Sequence, residues 1–115
     1  MTDKSMEITE NAQPDPKDYS LCGHLINAFS IIGKKWNGLI INALCDTEAM
    51  RFRDLARCIS RCSDRVLVER LKELEQENIV QRQVDHGIIS YSLTTKGKEL
   101  KPVCEHVHNW ADKWA

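Results

Sequence analysis

The stretch SDRVLVERLKELEQENIVQR (residues 63–82) contains two periodicities, one after the other. Leu67, Leu71 and Leu74 recur at the spacing of one helix face, so they predict an amphipathic helix. Ser63 is well placed to cap the start of this helix, and Asn78 can adopt the left-handed conformation that closes its end. A strand-like run follows Asn78 directly, so the sequence predicts a helix that leads straight into a strand.

Two further helices and a short third one are predicted before this stretch. The first ends at Gly33, which we expect to be a left-handed stop, and the second begins near Trp36. Residues 50–52 are expected to pair as a short edge strand before the third helix. The apolar positions that predict the three helices are, in order, Leu25, Ile26, Phe29 and Ile32; Trp36, Leu39, Ile40, Ala43 and Leu44; Phe52, Leu55 and Ile59.

After the central helix, two strands and a last helix are predicted. Residues 79–84 and 88–93 read as strands, and Asp85, His86 and Gly87 between them are a hairpin signal. The last helix should begin near Thr94 or Thr95, with Pro102 either kinking it or marking its true start. Its apolar positions follow heptad spacing and predict a seam that needs a partner surface: Leu100, Val103, Val107, Trp110 and Trp114.

This order of elements predicts the fold class. A short helix, a turn, a longer helix and a β-hairpin in succession are typical of a winged helix-turn-helix. The chain is therefore expected to be mainly α-helical with a small β-hairpin wing, an α+β arrangement. We expect one domain over residues 19–115, preceded by a flexible acidic arm at residues 1–18 that carries five acidic and two basic side chains.

The distribution of charge favours a nucleic-acid partner although the whole chain has a formal charge of −1. Residues 51–72 carry seven basic and three acidic side chains, a local net charge of +4. The major groove of double-stranded DNA admits an α-helix, whose N-terminal end usually contacts the bases. The residues predicted to contact DNA are Arg53, Arg57, Arg61, Ser63, Asp64, Arg65, Val66, Glu69 and Arg70 in the helix-turn-helix, with Arg82 and His86 in the hairpin.

Four segments of the chain resemble the HxlR-type transcriptional regulators, relatives of the MarR family. They are CGHLINAFSIIGKKWNGLIINAL (22–44), MRFRDLARCI (50–59), SDRVLVERLKELEQENIVQR (63–82) and YSLTTKGKELKPV (91–103), and together the match covers about residues 20–114. Two departures stand out. Residues 62–65 are more acidic than the usual Ser-Gln-Lys, so the operator sequence cannot be carried over, and the hairpin is short.

The resemblance implies a homodimeric regulator whose first and last helices form the dimer contacts. The predicted interface residues are Leu25, Phe29, Val103, Val107, Trp110 and Trp114. Family members often use a cysteine at the start of the first helix to sense oxidants or electrophiles, and here that position is Cys22. A helix N-terminus favours the thiolate. An intersubunit bond from Cys22 to Cys58 or Cys62 is a possible switch.

The remaining cysteines and histidines do not indicate a further functional site. Cys45 is expected to pack in the apolar interior, and Cys104 and His108 are four residues apart but lack a full metal-ligand set. No catalytic motif, cofactor-binding loop, membrane-length apolar run or secretion signal stands out, so we expect a cytoplasmic regulator that is neither an enzyme nor a membrane protein. The alternative is a winged-helix protein-interaction module without direct DNA readout.

Overall fold

The computed structural model describes residues 22–115, so the predicted arm at residues 1–18 lies outside the described residues. Within that range the order of elements agrees with the predicted winged helix-turn-helix. The helices and strands are α1 (Gly23–Ile32), α2 (Asn37–Cys45), β1 (Met50–Arg51), α3 (Phe52–Cys58), α4 (Asp64–Gln76), β2 (Val80–Asp85), β3 (Ile88–Leu93), α5 (Thr95–Lys98) and α6 (Lys101–Trp114).

The core is built around one face of α4. Leu67 and Leu74 are fully buried and Leu71 is 1% exposed, as their spacing predicts. They join a single buried cluster with residues of α2, α3 and the sheet, among them Ile40, Ile41, Leu44, Leu55, Ile59, Val80 and Leu93. Burial of a leucine side chain contributes about 1.5–3 kcal/mol. This leucine face therefore fixes the rotation of α4 about its own axis.

Local signals set both ends of α4. The Ser63 hydroxyl oxygen accepts a hydrogen bond from the Val66 backbone N–H at 3.2 Å, and this bond satisfies one of the free donors of the first turn. At the other end Asn78 has a φ of 61°, in the left-handed region that closes helices. The Ile79 N–H donates to the Leu74 carbonyl, and β2 begins one residue later. Both predictions for this helix are confirmed.

The wing is a three-stranded antiparallel sheet in the order β1-β3-β2. Asp85 pairs with Ile88, so the hairpin turn consists of His86 and Gly87 alone. Their φ values of 53° and 79° are those of the tight hairpin turn in which both central residues are left-handed. The short edge strand predicted at residues 50–52 is confirmed as β1, which pairs through Met50 with Tyr91.

Gly33 ends α1 as predicted, but not in the predicted conformation. Its φ is −79°, in the right-handed region, so the expectation of a left-handed stop is wrong. A Cβ atom at this position would lie 2.6 Å from the Phe29 carbonyl oxygen, so glycine is needed here for space. The left-handed residue of this turn is Trp36, with a φ of 80°, which directly precedes α2.

The single last helix expected from Thr94 or Thr95 is two helices. Thr94 caps α5 by accepting a hydrogen bond from the Gly97 N–H at 3.0 Å, and α5 ends after one turn. Pro102 lies in the first turn of α6, where its missing N–H costs no helical hydrogen bond. Pro102 therefore marks the true start of the long helix, which is one of the two outcomes predicted for it. No helix within residues 22–115 has the length and apolarity needed to cross a membrane.

Candidate nucleic-acid interface

The face of α4 opposite the leucines points away from the protein. Four exposed side chains occupy it at helical spacing: Arg65, Val68, Glu69 and Lys72. They extend over eight positions, about 10 Å of helix length from the first to the last. Val68 and Lys72 were not among the predicted DNA contacts, although their spacing from Arg65 already indicated that they share its face. This surface, Arg65 with Val68, Glu69 and Lys72, is called the reading face below.

Arg65 is the most available cation of the reading face. Its side chain is 87% exposed, and its one ionic partner among the residues that the structure describes is Glu69, with an N–O distance of 3.9 Å one helical turn away. An exposed pair of this kind contributes about 0–1 kcal/mol. The Arg65 guanidinium can therefore exchange Glu69 for another acceptor at a small cost in free energy.

Arg70 and Val66 face their own domain more than the sequence suggested. The Arg70 side chain is 17% exposed, donates a hydrogen bond from Nε to the Lys35 carbonyl at 3.1 Å, and lies 3.7 Å from Glu73. Val66 is half-buried and packs against the core cluster. Both residues lie on the flanks of α4, where most of each side chain is engaged within the protomer.

The other predicted residues of the helix-turn-helix border the reading face. Arg53, Arg57 and Arg61 are exposed on α3 and the following turn, and Arg57 lies 3.8 Å from Asp54. Ser63 uses its hydroxyl oxygen to cap α4. Asp64 is exposed in the first turn of α4, where the helix dipole favours a carboxylate.

The hairpin presents a mixed surface. Arg82 is exposed on β2, and His86 occupies the turn, where its Nδ1 lies 2.8 Å from an Asp85 carboxylate oxygen. Three apolar side chains are exposed near the tip: Val84, Ile88 and Ile89. The wing thus offers one arginine on β2 beside a partly apolar tip.

Within residues 22–115, no residue of α1 or α6 is fully buried. All six predicted dimer contacts are exposed on these two helices: Leu25, Phe29, Val103, Val107, Trp110 and Trp114. Ile26, which was not predicted, is exposed on α1 as well. An apolar groove of about 450 Å³ runs between α6 and the start of α2, with Trp36 and Leu39 among its lining residues. Exposed apolar surface on this scale is typical of an interface.

The predicted sensor Cys22 is exposed immediately before α1, and its carbonyl accepts a hydrogen bond from the Ile26 N–H at 3.0 Å. Its two proposed partner thiols differ in access. Cys58 is exposed at the end of α3, whereas Cys62 is buried in the core cluster. Burial also raises the pKa of the Cys62 thiol, which lowers its thiolate fraction at neutral pH.

Cys45 is partly buried against the core, as expected for a packing residue, but it also lies beside a second thiol. Cys45 on α2 and Cys104 on α6 line the same small cavity, and each thiol affects the pKa of the other. Desolvation is the largest effect on both, and it raises the pKa of Cys45 to about 11 and that of Cys104 above its ordinary value. His108 pairs with Asp112 at 3.3 Å. No group of three or more His, Cys, Asp or Glu residues within 22–115 could hold a metal ion.

The fold and the exposed helix define a winged helix-turn-helix DNA-binding protein. A family model described as HxlR-like helix-turn-helix matches residues 31–115, and the chain belongs to this family. The HTH-type transcriptional regulator YodB of Bacillus subtilis is 43% identical over 98 residues, which cover 83% of this chain and 87% of YodB. This chain is accordingly a DNA-binding transcriptional regulator and not an enzyme, as its sequence predicts.

Solved structures agree with this assignment. The reduced form of YodB superposes with a TM-score of 0.72 at 43% identity, covering 82% of this chain and 94% of YodB, and YodB is also known in quinone-bound and diamide-treated forms. The redox regulator HypR in its oxidised form gives a TM-score of 0.76 at 30% identity, covering 82% of this chain and 98% of HypR. A MarR-family regulator of Enterococcus faecalis shares the fold, with a TM-score of 0.70. It is 23% identical, and the superposition covers 92% of this chain and 94% of that regulator.

The thiols should differ in their reaction with iodoacetamide. Because the thiolate reacts, a pKa raised from 9.0 to about 11 lowers the alkylation rate of Cys45 about a hundredfold below that of an ordinary thiol at pH 8. This rate should rise about tenfold per pH unit between pH 8 and pH 10. Peptide mass spectrometry after timed alkylation measures it for each cysteine.

Urea-unfolded protein is the control, since there the rates should converge. Alkylation of Cys45 in the folded protein as fast as that of exposed Cys22 or Cys58 would contradict this assignment of the thiols.

Proposed function

We propose that this regulator is a cytoplasmic homodimer that binds a specific sequence in double-stranded DNA by inserting α4 into the major groove. The observation that carries the proposal is the reading face, which is held outward by the buried leucines and has the exposed Arg65 side chain at its N-terminal end. Residues at this end of a recognition helix contact base edges in proteins of this class. Arg65 is suited to bidentate bonding with a guanine.

The surrounding arginines contact phosphates in this proposal. Arg53, Arg57 and Arg61 flank the reading face on the side of α3, and Arg82 extends the cationic surface onto the wing. Lys72 lies further along α4, and we propose that it contacts a phosphate that borders the same groove. Ser63 and Asp64 position the helix start, and Asp64 or Glu69 can accept from a cytosine amino group. Val66 and Arg70 support the helix from its flanks.

The proposed dimer contacts are the exposed apolar residues of α1 and α6. Two helices whose apolar side chains are mostly exposed need another surface, and a second copy with the same faces supplies a self-complementary one. Two copies can engage half-sites about 34–36 Å apart, one turn of DNA, which increases both affinity and specificity. The interface residues proposed from the sequence all remain available for this role.

Cys22 is proposed as the sensor of oxidants or electrophiles. Its thiol is exposed where α1, a proposed dimer helix, begins. YodB, at 43% identity, has been solved both quinone-bound and diamide-treated, which supports the same two classes of signal here. Of the two partner thiols considered for an intersubunit disulfide, the accessible Cys58 is favoured over Cys62 because Cys62 is buried.

A second candidate function is protein binding by the wing. The exposed Val84, Ile88 and Ile89 favour an apolar partner over phosphate at the hairpin tip. Salt distinguishes the two functions. Affinity for DNA should fall steeply with rising salt, whereas an apolar protein contact should change little.

Replacing Arg65 by alanine should weaken binding to the operator by about 1–3 kcal/mol and relax the preference for one base pair. The operator is first recovered by selection from a randomised duplex pool, and affinities are then measured by fluorescence anisotropy. As the control, Arg57→Ala should weaken operator and unrelated DNA alike and reduce the salt slope by about 1. An Arg65→Ala protein with unchanged affinity and base preference would refute the readout role.

Replacing Val107 by aspartate should convert the dimer to a monomer, because a carboxylate buried in an apolar interface lacks a partner. Val84→Asp is a matched control, since the two valines are 59% and 61% exposed in the protomer but only Val107 belongs to the proposed interface. Sedimentation velocity gives the oligomeric state. A Val107→Asp protein that stays dimeric alongside Val84→Asp would exclude α6 from the interface.

Serine at position 22 should abolish the effect of both diamide and quinone on operator binding. Serine at position 58 should prevent the diamide-induced intersubunit disulfide, seen on non-reducing gels, but preserve the quinone response, because an adduct needs one thiol. Anisotropy titrations before and after treatment measure the responses. If Cys22→Ser responds to diamide as the wild type does, Cys22 is not the sensor.

A further inference from the structure

Cys45 and Cys104 form a pair of neighbouring thiols that the proposed function does not use. They come from different parts of the chain, since Cys45 ends α2 and Cys104 lies in the first turns of α6. They line the same cavity, and both pack on the edge of the core cluster. The pair therefore lies where the central part of the domain meets the last helix.

A small cavity opens beside the pair. It has a volume of about 220 Å³, and both thiols line it together with Asp46, Lys101 and Glu105. The two carboxylates and the ammonium group give its wall charges of both signs. Because charges of both signs line the wall, it does not attract a strongly charged ligand of either sign. The cavity can admit a small, uncharged ligand.

The chemistry of the pair restricts the class of ligand. Zinc normally takes four protein ligands in a structural site, and no group of three candidate ligands exists in the part of the chain that the structure describes. Peroxide attack requires a thiolate, and burial disfavours the thiolate of both cysteines. A suitable ligand is thiophilic, uncharged in water, satisfied by two protein sulfurs and reactive with protonated thiols.

We propose that Cys45 and Cys104 form a dithiol site that binds trivalent arsenic. Arsenous acid, As(OH)₃, is uncharged at neutral pH and exchanges hydroxide for thiolate without any change of oxidation state. Two As–S bonds form, two As–O and two S–H bonds break, and each thiol proton leaves with a hydroxide as water. One hydroxyl stays on arsenic and faces the cavity. Both thiols line the same cavity, which gives one arsenic atom access to the two sulfurs.

Arsenic at this site would link α2 to α6 covalently. A ligand that binds the folded state stabilises it, so the bridged protein should also unfold at a higher temperature. The proposal for this site does not depend on DNA binding or on Cys22. Its failure would leave the proposed function intact, and failure of the proposed function would leave the site testable.

The test uses the full-length protein and phenylarsine oxide, which loses one water when it bridges two thiols. Each of the five cysteines lies on its own tryptic peptide. Mass spectrometry of the digest should therefore reveal residues 36–51 and 99–113 joined through one phenylarsenic group. Peptides joined through other cysteine pairs, with none joining these two, would overturn the proposal.

Variants test the same site through affinity. In a Cys22→Ser/Cys58→Ser background, one arsenic should bind as in the wild type. Adding Cys45→Ala or Cys104→Ala should weaken binding by about a hundredfold or more, because the effective concentration of the second thiol is lost. Circular dichroism checks that each variant is folded. If only one of the two alanine variants folds, that variant alone is enough to test the site. Undiminished binding in a folded Cys45→Ala or Cys104→Ala protein would exclude the site, as would loss of binding in the background protein.

Discussion

Burial of the Leu67, Leu71 and Leu74 face is the interaction on which the rest of the structure depends. A helix of thirteen residues is marginal in water by itself, so α4 owes its stability to this tertiary contact. The same contact determines which side chains point outward, because residues three and four positions apart share a face. A register in which another face was buried would turn Arg65 toward the core, where an unpaired guanidinium is very costly. Stability and the direction of the reading face thus have one cause.

The basic residues near α4 divide between two tasks. Arg70 donates to the Lys35 carbonyl and pairs with Glu73, and Lys34 pairs with the same Glu73 at 2.9 Å. These contacts bind α4 to the turn between α1 and α2. Arg65 keeps one weak partner and an exposed side chain. Local net charge counts all basic residues equally, whereas counterion release on DNA depends on those that remain free to reach phosphates.

Signals confined to a few consecutive residues were predictable from the sequence. The leucine spacing, the Ser63 cap, the closing Asn78 and the hairpin at Gly87 each depend on neighbours within about one turn, and all four are confirmed. Features decided by distant residues were not. The bond from Arg70 to Lys35 spans 35 positions in sequence, and nothing near Arg70 indicates it.

The turn between α1 and α2 illustrates the same limit. A glycine after a helical run usually provides positive φ, but here Gly33 avoids a clash with the Phe29 carbonyl and the positive φ falls on Trp36. The Trp36 ring packs against the core from that position, and such tertiary packing can outweigh the backbone preference of a bulky residue. The placement of Cys45 and Cys104 on one cavity likewise depends on how α6 packs, which heptad spacing alone does not specify.

Helix α6 has a different role on each of its sides. Successive residues on a helix are about 100° apart, so Cys104 points inward toward α2 while Val107 and Trp110 face solvent on other sides of the same rod. A change in packing at Cys104 would tilt or shift the helix as a unit, because its backbone hydrogen bonds resist local bending. The outward residues would then move with it. In the proposed dimer, the position of one α6 relative to the other would set the separation of the two reading faces, so the packing of α6 on its own domain would bear on that separation.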